Sequence, residues 1–311
     1  MILTVTFNST TDLVIPLKKL SRGHVLRTPF IYSYPGGKGT NAARAAAALG
    51  MKTAATGFCS GAEIKNMHSF LKHHKITPDF VPVSGTNRPC ALITEYSPAR
   101  ETIINSSSGL LIFPESVKKM LAKLRLLSKK HPYIIFSGSL PPGLPAGFYK
   151  NSLKAISKKT VSLLDSSGEP LLKGIQGNPS ILKINIRELK SAFRVNLSSR
   201  PALKKFIIKL ASRYKIKTVI ITLNELGAVL YSGTDFFRFS TVKVKKVVSP
   251  VGSGDCFSAG YIYGLSKGFS SAESCRYAMA AAAANLSHTG SAFIEKKEVL
   301  RLVKKVKYTK F

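Results

Sequence analysis

Between residues 250 and 260 the chain reads PVGSGDCFSAG. Gly252 and Gly254 flank Ser253 and lead directly into Asp255, after which Cys256-Phe257-Ser258-Ala259-Gly260 continues with helical spacing to Leu265. Such glycines let successive backbone N–H groups turn into one concavity at a helix N-terminus, which suits an oxyanion or a phosphate. An acid in a first helical turn also stabilises the helix dipole, by about 0.3–1 kcal/mol. That role needs no glycines before it. A carboxylate base beside an anion hole is what phosphoryl transfer to an alcohol requires: the base takes the hydroxyl proton while fixed dipoles hold the migrating group.

A second glycine-rich loop lies at 35–50, PGGKGTNAARAAAALG. Pro35 and its glycines are expected to break a strand, Asn41 to begin an alanine-rich helix and Gly50 to end it. Gly37 and Lys38 can offer backbone N–H groups and a positive charge to a polar ligand, although a tight strand-to-helix turn accounts for the same letters. The third cluster is ILKINIRELK, 181–190, where Lys183 and Asn185 end a strand and Glu188 follows three residues later. Asn185 and Glu188 form a capping box on one reading. On the other they order Mg²⁺ and its waters near nucleotide phosphates, with Lys183 close by. Asp165 closes the strand VSLLD, a position that faces the ligand crevice of a parallel sheet.

These residues need a scaffold, and the hydrophobic pattern supplies one. Strands are expected at Ile2–Phe7, Tyr133–Ser137, Thr160–Asp165, Ser180–Asn185, Thr218–Leu223 and Thr241–Val248. Helix-like spacing fills Pro114–Ser128, Gly147–Lys158, Pro201–Tyr214 and the basic stretch from Glu295. Alternating strands and helices imply an α/β fold with a mostly parallel sheet covered on both faces. Between roughly 13–34 and 88–105 the texture changes to short strands and turns, read as a small β-sheet lid inserted in one domain spanning 1–311.

Composition narrows the class. Lys and Arg number 47 against 15 Asp and Glu, a formal net charge of +32, which raises the question of a nucleic-acid partner. The lysine pairs at 118–119, 129–130, 158–159 and 304–305 are dispersed and not interleaved with aromatics, so no nucleic acid is expected. Four cysteines at 59, 90, 256 and 275 form no CxxC pair and read as reduced thiols, with Cys256 either a small buried residue or a reactive thiol at a helix N-terminus. MILTVTFN reads as a buried strand and not a signal peptide, and the apolar runs are too short to span a bilayer. The expectation is a cytoplasmic enzyme with no membrane partner.

Taken together and in order, the loops resemble the paired signatures of the ribokinase-like, PfkB-type carbohydrate kinases. Asn8…Asp12, Arg88 in GTNRPCALI, the SGSLPPG segment at 137–143, Asp165-Ser166-Ser167-Gly168 and Thr222…Gly227 extend the likeness over nearly the whole chain. SGSLPPG is most similar to the phosphosugar kinases: 1-phosphofructokinases, tagatose-6-phosphate kinases and minor 6-phosphofructokinases. The resemblance implies a three-layer sandwich with a β lid, and ATP-dependent, Mg²⁺-dependent phosphorylation of a ketohexose monophosphate. By it, Asp255 is the general base and Gly252, Ser253 and Gly254 form the anion hole. Asp12, Gly37, Asn41 and Ser139 meet the sugar, and Lys38 and Arg88 its existing phosphate. Lys183, Asn185, Glu188, Thr222, Gly227 and Asn285 serve the nucleotide, while Glu188 and Asp165 hold Mg²⁺ through water. It also implies a homodimer through the lid. The alternatives are tagatose-6-phosphate or 6-phosphofructokinase activity, an unphosphorylated sugar or nucleoside as acceptor, or a basic nucleic-acid binder on an inactive scaffold. The chain departs from the family at Ser9, Ile184, Asn224 and Cys256, and none of these removes a charged catalytic group.

Overall fold

Strand β1 (Ile2–Thr6) is buried along its whole length and lies inside the large sheet, between the strands Tyr133–Ser137 and Thr53–Ser60. Its run of aliphatic and β-branched residues, without polar alternation, suits a strand covered on both faces. The computed structural model describes residues 1–96, 99–197 and 199–311. After β1 come β2 (Thr10–Leu17), β3 (Tyr32–Gly36), β4 (Thr53–Ser60), β5 (Ile76–Pro78), β6 (Val81–Thr86), β7 (Arg88–Tyr96), β8 (Ala99–Asn105) and β9 (Gly109–Leu111). The second half adds β10 (Tyr133–Ser137), β11 (Val161–Asp165), β12 (Ile181–Asn185), β13 (Thr218–Thr222), β14 (Ala228–Ser232), β15 (Asp235–Phe239) and β16 (Tyr308–Lys310).

The large sheet runs β16-β15-β14-β13-β12-β11-β10-β1-β4-β6-β9, with β5 beside β4. From β13 across to β6 every neighbouring pair is parallel, whereas β14, β15, β16 and β9 join antiparallel at the edges. Helices cover both faces. On one lie α1 (Lys38–Ala48) and, later in the chain, the helices Ser253–Ser266 and Ser271–Asn285, whose alanines pack closely against Ile2, Ile135 and Leu163. On the other, Pro114–Ser128, Phe148–Ala155 and Arg200–Tyr214 enclose Phe7, Phe136, Leu164 and Ile184. This is the three-layer α/β/α arrangement that the alternation of elements implied.

A separate small sheet has the order β3-β2-β7-β8. β2 and β7 pair in parallel, Thr10 opposite Arg88 through to Leu17 opposite Glu95. The small sheet thus begins at Thr10, earlier than expected, and residues 18–31 form no strand; Gly23 and Pro29 interrupt that stretch, which is largely exposed. Two boundaries also move at the first glycine loop: β3 continues through Pro35 to Gly36, and α1 starts at Lys38. An edge strand tolerates proline because its N–H has no ladder to join.

Thr241–Val248 is not a strand. Its alternating valines and lysines have no free sheet edge to pair with, since β16 already lines β15. The segment instead hangs on a bond from Val248 N–H to Leu286 O at 2.6 Å, with Val242 packed into the core. The basic C-terminal stretch is helical at Lys296–Val303 but returns to the sheet as β16.

Candidate active site

The second glycine loop folds as its letters imply. Gly252 takes φ of +83° as N-cap of the helix Ser253–Ser266, α8 in chain order, and a Cβ there would meet Ala292 N at 2.5 Å. Only glycine fits that corner. Between α1 and α8 the chain order is α2 (Ile64–His73), α3 (Pro114–Ser128), α4 (Phe148–Ala155), α5 (Gly168–Gly174), α6 (Ile186–Phe193) and α7 (Arg200–Tyr214); α9 (Ser271–Asn285) and α10 (Lys296–Val303) follow. Ser253 N–H turns back to Pro250 O at 3.2 Å. Among the described residues the N–H groups of Gly252 and Gly254 have no protein partner, so they are the donors open to an anion.

Asp255 sits in the first turn of α8, only 4% exposed, and its Oδ2 accepts from Asn41 Nδ2 at 2.9 Å. Burial pushes its carboxyl up to about 6; the Lys38 ammonium opposes this and the Asp165 carboxylate adds to it. A carboxyl at that value is ionised at neutral pH yet basic enough to accept a proton. Asp12 in β2 is likewise raised by burial, while Thr10 Oγ1 donates to its Oδ1 at 2.6 Å. Arg88 opens β7, in register with Thr10.

The strand ends of β11 and β12 bring charge together. Lys183 Nζ donates to Asp165 Oδ2 at 2.7 Å. Lys38 Nζ stands 3.9 Å from Asp165 Oδ1 and 4.0 Å from Glu188 Oε1. Burial acts to raise Asp165, but Lys183 and Lys38 outweigh it and hold the carboxyl below the usual range. Asp165 in turn keeps Lys38 protonated far above neutral pH. The resemblance sets Lys38 with Arg88 on the sugar's phosphate; in the structure its ion pairs are to Asp165 and Glu188, and Asp255 and Arg88 also act on its charge. The capping box is formed: Glu188 N–H donates to Asn185 Oδ1 at 2.8 Å, and Asn185 N–H to Glu188 Oε2 at 3.2 Å.

One cavity of about 860 Å³ gathers most of the expected residues. Its lining includes Asp12, Gly37, Lys38, Asn41, Arg88, Lys183, Asn185, Glu188, Thr222, Gly227 and the run Gly252–Asp255. Three expected residues lie outside the lining. Ser139 is an exposed turn residue that accepts from Asn8 Nδ2 at 3.1 Å. Asn285 is fully buried behind the glycine loop, donating to Val251 O at 2.7 Å and Ser253 Oγ at 3.0 Å while accepting from Ala292 N–H at 2.8 Å. With its capacity spent, Asn285 braces the loop. Asp165 is 1% exposed beneath the floor, its oxygens turned to two ammonium groups.

Sequence reasoning passed over Thr10, Cys90, Asn105 and Ser291, which also line the cavity, and the apolar wall of Val242, Val244, Val247, Phe257 and Leu286. Asn105 carried a signal, a polar residue ending a lid strand; the valines looked like an ordinary strand. Cys256 is a small buried residue: burial drives its thiol well above the ordinary value, and Sγ rests 3.7 Å from Asn285 Oδ1. Asn224 has φ of +53°, a left-handed turn that asparagine tolerates, so the family's glycine is dispensable there.

For a divalent cation, no group of three or more His, Cys, Asp or Glu side chains is placed to bind one among the described residues. A hard cation that keeps most of its waters needs only one or two carboxylates plus substrate phosphates, and Glu188 on the cavity wall fits that demand. Asp165, paired with Lys183 and 1% exposed, stands behind the cavity lining.

Among known proteins, the chain resembles the 1-phosphofructokinase of Bacillus subtilis strain 168, 30% identical over 268 residues covering 86% of each chain. It is 29% identical over 268 residues to a tagatose-6-phosphate kinase of Staphylococcus epidermidis, covering 85% of each. Among solved structures, phosphofructokinase-2 of Escherichia coli superposes with a TM-score of 0.89 at 22% identity over 98% of each chain. Arabidopsis thaliana ribokinase does so at 0.74 and 20% identity, over 97% and 98%. The fold is therefore ribokinase-like. With residues 1–298 matched by the model of the pfkB family carbohydrate kinases, the chain belongs to that family and is a sugar kinase.

Proposed function

We propose that this kinase transfers the γ-phosphoryl group of ATP to a hydroxyl of a ketohexose monophosphate, as a 1-phosphofructokinase does, giving a sugar bisphosphate and ADP. One observation carries the reading: a buried carboxylate, Asp255, is held by Asn41 beneath two open backbone donors, in a cavity that also presents Arg88 and Asp12. Asp255 takes the proton of the attacking hydroxyl. Gly252 and Gly254 N–H groups receive the migrating phosphoryl, and Lys38, fixed between Asp165 and Glu188, offsets its charge. Asp12 and Asn41 orient the sugar, and the Arg88 guanidinium suits the acceptor's own phosphate.

The nucleotide lies along Lys183, Asn185, Thr222 and Gly227, its base against the valine wall. A magnesium ion at Glu188 neutralises phosphate charge when bound. The small sheet acts as a lid over the acceptor. On the small sheet Tyr32, Tyr96 and Ile104 are exposed and apolar, which supports pairing with a second copy. The similarity to a tagatose-6-phosphate kinase supports a second reading, in which that sugar phosphate is the acceptor. ADP release from purified protein, measured with fructose 1-phosphate, tagatose 6-phosphate, fructose 6-phosphate, ribose and adenosine, decides between them. Turnover with ribose or adenosine alone would overturn the phosphosugar reading. No helix among the described residues is long and apolar enough to cross a membrane.

A further inference from the structure

Arg44 is 3% exposed, one turn beyond Asn41 on α1. A guanidinium shielded to that degree needs compensation. Three rings supply part of it: its Cζ lies 5.0 Å from the Tyr34 centroid, 5.4 Å from Phe70 and 4.2 Å from Phe293. No carboxylate pairs with it among the described residues. Among the described residues its Nε and Nη1 have no hydrogen-bond partner, and its hydrogen bonding runs through Nη2, which donates to Asn41 Oδ1 at 2.8 Å and to Ser291 O.

The bond to Asn41 has a chemical consequence. An asparagine amide can present either its oxygen or its NH₂ to a neighbour, and only the NH₂ can donate to a carboxylate. Arginine has donors only, so Arg44 claims the oxygen and turns Nδ2 toward Asp255 Oδ2, 2.9 Å away. The second bond holds Ser291, whose own N–H donates to the Tyr34 hydroxyl at 3.1 Å and whose neighbour Ala292 seals Gly252. We propose that Arg44 is a positioning residue for phosphoryl transfer: caged by Tyr34, Phe70 and Phe293, it sets the orientation of the Asn41 amide and through it the Asp255 carboxylate. The inference rests on Asp255 being the base.

Other charged groups face the same carboxylate: Lys38 from α1, Lys183 from β12 and Asp165 from β11, with the Cys256 thiol on α8 itself. Asp12 on β2 faces Arg44. Of these, none but Arg44 bonds to Asn41.

The test compares Arg44→Met, Asn41→Ala, the double variant and Asp255→Asn, with circular dichroism as the check on folding. Arg44→Met fills the cage without a donor. It is expected to lower kcat by about 10²-fold with KM for sugar and ATP held within about threefold. The acid limb of its kcat–pH profile moves to higher pH, because Asp255 loses a nearby cation and a fixed donor. In the Asn41→Ala background the same substitution costs less than about twofold further, since its route is already cut. Full loss on top of Asn41→Ala, or an unmoved acid limb, overturns the proposal. Should Arg44→Met not fold, Arg44→Lys carries the same comparison, its smaller loss again vanishing on Asn41→Ala. Near-normal turnover in Asp255→Asn sinks the base assignment itself, whereas an inactive Asp255→Asn with additive Arg44 and Asn41 losses sinks only the role of Arg44.

Discussion

Lys183 Nζ and Asp165 Oδ2 meet at 2.7 Å where β12 and β11 end, with side-chain exposures of 7% and 1%. Removing one partner of such a pair leaves an uncompensated buried charge and costs about 3–5 kcal/mol, whereas removing both together costs far less. Lys183→Met is therefore expected to lower stability more than Lys183→Met/Asp165→Leu, as read by urea denaturation. Asp165 is held below its usual 3.8 when folded, so its stabilising contribution is present above that value and disappears as pH falls below it. The wild-type midpoint should drop on acidification through that range and the double variant should lose less. Equal sensitivity in both would remove the pair from any stabilising role.

Asp255 has the opposite sign. Its carboxyl lies near 3.8 unfolded and about 6 folded, so between those values the folded state binds the proton more tightly. That contribution favours the fold at low pH and is lost as pH rises through the window. Activity runs the other way, since the base must be ionised: kcat/KM for the sugar should fall about tenfold per pH unit below about 6. Asp255→Asn should lose about 10²–10⁴ in kcat while melting at a higher temperature than wild type at pH 8. A melting point below wild type there would contradict the buried-carboxylate account.

Arg88 and Lys38 should separate kinetically. Arg88 opens β7 on the small sheet, so Arg88→Met should raise KM for the phosphosugar by about 10–100-fold, the worth of a charged hydrogen bond, with KM for ATP little changed. Lys38 lies within 4.0 Å of both Asp165 and Glu188. Lys38→Met should act chiefly on kcat. Matching kinetic signatures in the two variants would return Lys38 to the sugar phosphate.

Glu188 caps α6 and lines the cavity, and glutamine separates the two duties. An amide oxygen at that position still accepts from Asn185 N–H, so the helix start survives. Glu188→Gln should melt within about 1 °C of wild type while needing about tenfold more Mg²⁺ for half-maximal rate. Loss of stability without a change in Mg²⁺ demand would reduce Glu188 to its cap.

The fold was legible wherever burial on both faces writes a continuous apolar run, as at Tyr133–Ser137, and wherever amphipathic spacing continues for four turns, as at Pro114–Ser128. Asp255 was legible because Gly252 and Gly254 have no other reason to precede it. Long-range geometry was not. TVKVKKVV has the letters of a strand, yet a ladder needs a free edge, and sheet order is not written locally. Lys38 could be seen as a cation near phosphate, but which phosphate depends on Glu188, 150 residues away. Asn285 and Ser139 carried family likeness without showing whether they face the ligand or stand behind it. Arg44 looked like one residue in an alanine helix, because the rings that cage it come from positions 34, 70 and 293.

The interior place of β1 bears on how the molecule is made. Ribosomal synthesis delivers this strand before either of its neighbours: one flank waits for β4 and the other for β10 at Tyr133–Ser137. The cavity waits longer still, since Ser291 closes it from the far end of the chain. A nascent chain therefore carries an unsatisfied apolar ribbon until Tyr133–Ser137 has been made, a span in which exposed strand edges invite chaperones or aggregation.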